Sequence, residues 1–310
     1  MKGFESKEHE IEFWNSLKRL SLPLKFAYTG DAAYTHNKLA HLDTYHQIAG
    51  MTKIEVEPLI QYYANNNPIS QLCDVGSGNG IHSGAFLDAL SDKGYPIVRY
   101  LAIDFSKTLL EIGLKYLKDK FPKLQIDSAT WDFERGPTKT TSRWRKNGKV
   151  LITLTGQTLG NPEDPLQVLK NHFLSSLPGD IFLLGVALFY NAEPNHFLDD
   201  YRNDIFKAAA LEPLRMAGVE VNCGEFKLSF SKKDKTIKGE FIFSEPITLQ
   251  YNDEKVSFRK GDSVHCFTSR RFEVNVIESL LKKSGWKIVE TVYDDEKTHV
   301  VYLSERGDKL

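Results

Sequence analysis

The sequence of 310 residues is poor in cysteine and has no long apolar run. Its three cysteines, Cys73, Cys223 and Cys266, stand far apart and form neither a CxxC pair nor a zinc spacing, so we expect reduced thiols and no metal. No window approaches the apolar length that crosses a bilayer, and the charged N-terminus, MKGFESKEHEIEFW, lacks a signal-peptide core. We therefore expect a cytoplasmic protein without a membrane partner.

The sequence also lacks an excess of charge of either sign, because 40 Lys and Arg are balanced by 41 Asp and Glu. A nucleic-acid partner usually requires a basic surface, so we expect none. The fractions of hydrophobic residues, 41%, and charged residues, 26%, are typical of a globular protein. The length is sufficient for one main domain with a sizeable accessory region.

Short β-rich runs alternate with helical stretches from residue 69 to 188, a pattern typical of a parallel sheet covered on both faces. The predicted strands of this part are LCDV, RYLAID, LQIDSAT, VLITLT and DIFLLGVAL. A single helix, HFLDDYRNDIFKAAALEPLRMAG, then precedes the runs EFKLSFS, TIKGEFIFS and ITLQY, which predict an antiparallel sheet. The α/β pattern resumes with a helix, RRFEVNVIESLLKKSG, and two strands, WKIVETVY and THVVYLSE.

These patterns predict an α/β fold: a seven-strand Rossmann-like core with an α+β accessory substrate domain. Residues 66–190 form most of the core, and residues 263–310 complete it with a helix and a strand hairpin. Residues 1–65 form a helical part of the substrate domain, and residues 191–262 form an inserted α+β substrate-binding region.

The glycine-rich segment DVGSGNG connects the first predicted strand to a helix. Its glycines, Gly76, Gly78 and Gly80, allow a ligand to approach the backbone, and the following helix N-terminus favours negative charge. We therefore assign Asp74, Gly76, Ser77 and Gly78 to a cofactor site. The alternative is a turn that serves only tight packing of the strand against the helix.

Side chains at the ends of the next strands extend this site. Asp104 can accept hydrogen bonds from both hydroxyls of a ribose. Asp132 can accept from an adenine amino group while Phe133 stacks on the base. Phe105 and Thr155, at the ends of the second and fourth strands, complete the predicted cofactor set. All of them lie at the carboxyl ends of strands, where open parallel sheets bind ligands.

The spacing of the glycines distinguishes between two nucleoside cofactors, NAD and S-adenosylmethionine. A site for NAD has the pattern GxGxxG, whereas this loop has GxGxG and an acid, Asp74, two residues before the first glycine. A carboxylate is unfavourable beside a pyrophosphate and favourable beside the cationic methionine end of S-adenosylmethionine. We predict S-adenosylmethionine, and therefore a class I methyltransferase core, with NAD as the alternative.

With these residues the chain resembles the histidine-specific methyltransferase family, from about residue 20 to 303. The most specific segments are DVGSGNG, YLAIDFS, WDFE and LTGQTLGNPED. The resemblance implies that Asn161, in the last of these segments, holds the amino-acid end of a substrate. It also implies that Tyr28 in KFAYTGD and Tyr45 in HLDTYHQ line the substrate pocket. We predict these two tyrosines as the catalytic residues, because an amine must be oriented as its free base before attack.

Further residues carry the resemblance into the second half of the chain, with two departures. Tyr201 and Ser269 match pocket positions of the family. Phe267 occupies the position of an acidic residue that accepts a hydrogen bond from an imidazole. His82 is nearest to a position that is usually basic, so we assign it to the cofactor site as well. A phenyl ring accepts no comparable hydrogen bond, so we expect free histidine to be a poor substrate.

The predicted function is S-adenosylmethionine-dependent N-methylation of the amine of a small amino acid or an amino-acid-derived metabolite, in secondary metabolism. One alternative is O- or C-methylation of a natural product. Another is a non-catalytic protein that binds S-adenosylmethionine. The sequence makes no prediction of the oligomeric state.

Overall fold

The computed structural model describes most of the chain, without the side chains of residues 43–50. The described residues are 3–39, 41, 43–190 and 192–307. Among them, no helix combines the length and the hydropathy that a bilayer crossing requires.

The elements are numbered along the chain. The helices are α1 (Lys7–Lys18), α2 (Asp31–Leu39), α3 (Asp43–Tyr63), α4 (Ile81–Asp92), α5 (Lys107–Lys120), α6 (Thr140–Trp144), α7 (Pro165–Ser175), α8 (Pro194–Leu198), α9 (Asp204–Met216) and α10 (Val274–Lys283). The strands are β1 (Gln71–Val75), β2 (Arg99–Asp104), β3 (Gln125–Thr130), β4 (Leu151–Leu154), β5 (Ile181–Ala187), β6 (Gly224–Ser231), β7 (Thr236–Phe243), β8 (Ile247–Tyr251), β9 (Glu254–Phe258), β10 (Ser263–Arg270), β11 (Trp286–Tyr293) and β12 (His299–Arg306). Short 3-10 turns cover Leu24–Tyr28, Thr158–Gly160, Asp199–Tyr201 and Val221–Cys223.

The chain forms two compact units. The first combines Met1–Leu42 with Asn191–Arg270, and the second combines Asp43–Tyr190 with Arg271–Leu310.

The second unit is built on a seven-strand sheet with the order β11-β12-β5-β4-β1-β2-β3. The five strands from β5 to β3 are parallel, and β12 runs antiparallel to both β5 and β11. The strand order reverses at β1, which lies between β4 and β2. Open α/β sheets bind ligands at such a reversal, outside the carboxyl ends of the strands.

Both faces of this sheet are buried because alternate residues of each strand enter different cores. In β5, Phe182 and Leu184 belong to one core, together with residues of α7 and α10. Ile181 and Leu183 belong to the other, together with residues of α3, α4 and α5. The helices therefore cover the two faces of the sheet, as the apolar runs predicted.

The first unit contains an antiparallel sheet with the order β10-β7-β6 and a separate hairpin of β8 and β9. Its core is rich in aromatic side chains, including Trp14, Phe26, Phe241, Phe243 and Phe258. The expected antiparallel strands are present, and β9 and β10 are additional to them.

The helix predicted after residue 195 is not continuous. The structure divides it into α8, a 3-10 turn and α9. Asn203 has an extended backbone, and its side chain accepts a hydrogen bond from the Phe206 amide, so it caps a new helix. The prediction of one helix over this stretch was wrong because a capping residue inside the periodic pattern was overlooked.

The two units divide the chain at positions other than those chosen from the sequence. Helix α3 lies in the second unit, where Val56 and Leu59 join a core of the large sheet. Strand β10 lies in the first unit, where it pairs with β7. The ranges predicted from the sequence group α3 with the N-terminal segment and β10 with the C-terminal one.

Candidate active site

The loop between β1 and α4 has the conformation that its glycines permit. Gly76, Gly78 and Gly80 have φ angles of 76°, 54° and 78°, in the left-handed region that side chains rarely adopt. The Gly76 amide donates to the Ile103 carbonyl over 2.8 Å, which ties the loop to β2. A Cβ on Gly78 would meet nothing nearer than the Gly76 carbonyl oxygen, at 4.0 Å. The loop therefore presents bare backbone on this side, as a cradle for a ligand does.

The other side of the loop is packed against α5. A Cβ on Gly113, inside α5, would lie 2.9 Å from the Gly78 carbonyl oxygen and 3.1 Å from the Gly80 amide nitrogen. Contacts below 3.0 Å with backbone cannot be relieved by a side-chain rotation. Gly113 thus sets how closely the glycine loop approaches α5, and the sequence analysis did not identify it.

Asp104, at the end of β2, is buried and accepts two backbone amides. Its Oδ2 accepts from Gly78 over 2.9 Å, and its Oδ1 accepts from Ser106 over 2.8 Å. Burial raises the pKa of Asp104 to about 6, although the two amides oppose the shift. Each carboxylate oxygen retains a lone pair, so Asp104 can hold the loop and also accept ribose hydroxyls.

Asp74, at the end of β1, is buried among three hydroxyl donors from three elements. Its Oδ2 accepts from Ser83 of α4 over 2.6 Å and from Tyr100 of β2 over 2.7 Å. Its Oδ1 accepts from Thr153 of β4 over 2.7 Å. The carboxylate therefore joins the elements around the loop, and a ligand cation would have to use its remaining lone pair.

The ends of β3 and β4 place the other predicted cofactor residues at the same edge of the sheet. Asp132 lies 3.5 Å from the Arg135 side chain, and the carbonyl of Phe133 accepts from the Asn171 side chain over 2.7 Å. The carbonyl of Thr155 accepts from the Thr158 hydroxyl over 2.7 Å. Ser77 and Phe105 are both buried beside the loop.

His82, in the first turn of α4, contacts two elements. Its Nδ1 lies 3.4 Å from the Thr155 hydroxyl, and its Nε2 lies 2.8 Å from Oε2 of Glu55 on α3. Burial lowers the pKa of His82, but the negative charges of Glu55 and Asp74 outweigh it, so the pKa is raised above its usual value. Imidazolium is therefore favoured next to the glycine loop.

Three predicted substrate residues meet in the first unit. The hydroxyls of Tyr201 and Ser269 are 3.1 Å apart, and the rings of Tyr201 and Phe267 are 5.2 Å apart. Phe206 contacts both rings, with centroids at 5.0 Å from Tyr201 and 4.8 Å from Phe267. Phe267 and Ser269 share one face of β10, where they oppose Gly239 and Ile237 of β7. The cluster combines two hydroxyls with an aromatic surface.

The remaining predicted substrate residues belong to different elements. Tyr28 ends a 3-10 turn of the first unit, and its ring lies 4.5 Å from that of His36. Asn161 follows the 3-10 turn Thr158–Gly160 after β4, in the second unit. Tyr45 belongs to α3, but its side chain lies outside the described residues.

Several residues of the site were not found from the sequence. Glu55, Gly113, Tyr100 and Thr153 lie outside the glycine-loop segment, and their roles depend on packing. The available signals were a glycine inside the predicted helix of α5 and a polar residue in each of the apolar runs of β2 and β4.

Comparison with protein families gives a match over nearly the whole chain. A family model described as "Histidine-specific methyltransferase, SAM-dependent" matches residues 12–306. No curated protein matches the sequence.

Solved structures resemble this chain at low sequence identity. An S-adenosylmethionine-dependent methyltransferase from Clostridium acetobutylicum ATCC 824 is 14% identical, with a TM-score of 0.50, and the alignment covers 88% of this chain and 99% of that one. A magnesium protoporphyrin IX methyltransferase from Synechocystis PCC 6803 is 10% identical, with a TM-score of 0.47, over 91% of this chain and 98% of that one. The first likeness concerns the fold alone and confirms the predicted class I methyltransferase core.

Replacement of Asp104 tests the predicted ribose contact. We expect Asp104→Ala to weaken binding of S-adenosylhomocysteine by about 2 kcal/mol or more, because charge-assisted hydrogen bonds to the ribose are lost and the loop is released. Isothermal titration calorimetry measures the affinity, and Asp119→Ala, an exposed change on α5, is the control. In the parent, the affinity should also fall as the pH drops through about 6, where Asp104 takes up a proton. Unchanged affinity in Asp104→Ala would exclude Asp104 as the ribose acceptor.

Replacement of Gly113 tests the packing of the loop. We expect Gly113→Ala to weaken S-adenosylhomocysteine binding at least fivefold, because the new Cβ pushes on the backbone of Gly78 and Gly80. Gly94→Ala is the control, because a Cβ on Gly94 would meet no atom within 4 Å. Its effect is therefore limited to the backbone strain that a positive φ imposes on alanine. Calorimetry and thermal unfolding should be measured together. Full affinity in folded Gly113→Ala would show that the loop tolerates displacement.

Proposed function

Because the chain belongs to the histidine-specific, S-adenosylmethionine-dependent methyltransferase family, we propose that it methylates the amine of a small amino acid or an amino-acid-derived metabolite other than free histidine. S-adenosylmethionine, when bound, supplies a methyl group on a positively charged sulfur. The chain's own residues bind the two reactants, orient the amine and exclude water.

The residues around the glycine loop fit this cofactor. The open side of Gly78 leaves room for the ligand, Asp104 offers carboxylate oxygens to a ribose, and His82 offers a cation to a carboxylate. Asp132 and Phe133 are assigned to the adenine, and Thr155, which lies beside His82, is assigned to the methionine end. Asp74 maintains the strand ends that carry these groups.

The observation that carries the substrate proposal is the aromatic cluster of Tyr201, Phe206 and Phe267 in the first unit. Phe267 packs on both other rings, so a substrate side chain that reaches this cluster would meet aromatic groups and no carboxylate. An imidazole N–H placed against these rings would lose its hydrogen bond to water, at a cost of about 1 to 3 kcal/mol. The hydroxyl pair of Tyr201 and Ser269 supplies the polar contacts of the same cluster.

The amine needs a partner that accepts or orients its proton before methyl transfer. We assign this role to Tyr28 or Tyr45, and the role of binding the amino-acid end to Asn161, on the strength of their match to family segments. A neutral tyrosine hydroxyl can accept one hydrogen bond from the amine and fix its lone pair in line with the methyl group. S-adenosylmethionine would supply an electrophilic methyl group to the oriented amine, and the methylated amine would lose its extra proton to solvent.

The identity of the acceptor is tested with a panel of amino acids and aromatic amines at equal concentration. We expect release of S-adenosylhomocysteine to be fastest with acceptors that carry a larger or less polar side chain than histidine, because Phe267 offers no carboxylate. Phe267→Glu should shift the preference toward histidine by roughly tenfold, the size of one charge-assisted hydrogen bond. Phe226→Leu, on β6 of the same sheet, is a control for changes in aromatic packing.

Three results would contradict this proposal. Efficient methylation of free histidine by the parent would show that another residue supplies the acid. Methyl transfer to a hydroxyl or a carbon, identified by mass spectrometry of the product, would replace N-methylation with O- or C-methylation. Binding of S-adenosylmethionine with no transfer to any acceptor would instead indicate a non-catalytic protein.

A further inference from the structure

A buried cluster of one carboxylate and two imidazoles lies behind the glycine loop in the second unit. Glu55 of α3 is fully buried, His299 of β12 is 3% exposed, and the His82 side chain is 21% exposed. Oε1 of Glu55 and Nε2 of His299 both border Gly185 of β5, at 3.3 and 3.2 Å from the position of a Cβ there. The bare Cα of Gly185 therefore provides the space for both side chains.

The hydrogen bonds of this cluster are incomplete within the described part of the chain. Neither oxygen of Glu55 and neither ring nitrogen of His299 has an aligned partner there. Nε2 of His82 lies 2.8 Å from Oε2 of Glu55, at ion-pair distance although not aligned as a hydrogen bond. No set of three or more His, Cys, Asp or Glu side chains in the described ranges is placed to hold a metal ion.

A carboxylate buried to this extent requires a compensating positive charge. Burial lowers the pKa of His299, so this imidazole is neutral near pH 7. His82 has a raised pKa and lies at ion-pair distance from Glu55, so it is the cation that the geometry provides. The charged and titratable groups that act on the two rings are Glu55 of α3, Asp74 of β1, Asp294 after β11 and Arg271 before α10.

The orientation of His82 leaves one N–H toward the strand ends. Nε2 faces Glu55, and Nδ1 faces the Thr155 hydroxyl at 3.4 Å. That separation is longer than a normal hydrogen bond, so the Nδ1–H can be taken over by a stronger acceptor such as a carboxylate.

We infer that Glu55 is a positioning residue that keeps His82 protonated beside the glycine loop, where the imidazolium binds the carboxylate at the methionine end of S-adenosylmethionine. This role depends on the cofactor and is independent of the acceptor. A fixed cation would bind that carboxylate at any physiological pH. A histidine paired with Glu55 binds it at lower pH and releases it as the pH rises through the raised pKa of His82.

The test compares two ligands that differ in the methionine end. S-adenosylhomocysteine carries the amino-acid carboxylate, and methylthioadenosine has the same nucleoside without it. Both affinities are measured by calorimetry from pH 5.5 to 8. At each pH the affinity for S-adenosylhomocysteine is divided by that for methylthioadenosine, and this affinity ratio is followed across the pH range. The titration of Asp104 affects the ribose contacts of both ligands, so it cancels in the ratio. We expect the ratio to be highest at the low end of this range and to fall as His82 loses its proton at higher pH.

Glu55→Gln removes the negative charge and preserves the size of the side chain. We expect the affinity ratio at pH 7 to fall roughly tenfold, the size of one charge-assisted hydrogen bond, and the remaining pH dependence to move to lower pH. Glu57→Gln, on the same helix, is the matched control and should change nothing. His82→Lys supplies a fixed cation and should flatten the ratio between pH 6 and 8.

A direct readout comes from the protein without ligand. The imidazole resonances of His82, assigned by comparison with His82→Ala, should titrate above pH 6.5 in the parent and below it in Glu55→Gln. This titration decides the question in the parent even if Glu55→Gln fails to fold. A parent midpoint below 6.5, or an affinity ratio that is independent of pH, would overturn the inference. If the affinity ratio is independent of pH but both ligands bind, the proposed cofactor site is retained and only the role of Glu55 is excluded. If neither ligand binds, the proposed cofactor site is itself wrong.

Discussion

The buried carboxylate of Asp74 is the constraint on which the site depends. It is the penultimate residue of β1, the strand at which the strand order reverses, and it accepts hydrogen bonds from hydroxyls of α4, β2 and β4. Removal of the carboxylate would leave three buried hydroxyls without their acceptor. Because Tyr100 donates over 2.7 Å and its pKa is raised well above the usual value by burial and by Asp74, it remains a neutral donor at every physiological pH.

Two further buried acids, Asp104 and Glu55, favour opposite charges near the glycine loop. Asp104 fixes the glycine loop through the amides of Gly78 and Ser106 and presents negative charge to the ribose side. Glu55 lies behind the loop and favours positive charge on His82. A ligand with ribose hydroxyls and a carboxylate would match the acceptor that Asp104 offers and the cation that the proposal assigns to His82. Affinity for such a ligand is then expected to be limited at low pH by Asp104 and at high pH by His82.

Much of this arrangement was predictable because it is encoded locally. The apolar runs predicted the strands of the large sheet, and the glycine spacing together with Asp104 predicted the cofactor and its edge. The residues that were missed act through contacts between distant segments. Glu55 is 27 positions before His82, and Gly113 reaches the loop only because α5 packs beside it. The break before α9 was missed because a single capping residue, Asn203, interrupts an otherwise helical pattern.

A crystal structure of the protein with S-adenosylhomocysteine tests the central claim most directly. The account predicts the ribose hydroxyls within hydrogen-bond distance of the Asp104 carboxylate, about 2.5 to 3.0 Å between oxygen atoms. It also predicts the ligand carboxylate at Nδ1 of His82, with Nε2 still facing Glu55, and Asp74 still bound to its three hydroxyls. A ligand whose ribose lies away from Asp104, or whose carboxylate contacts another cation while His82 faces only Glu55, would contradict it.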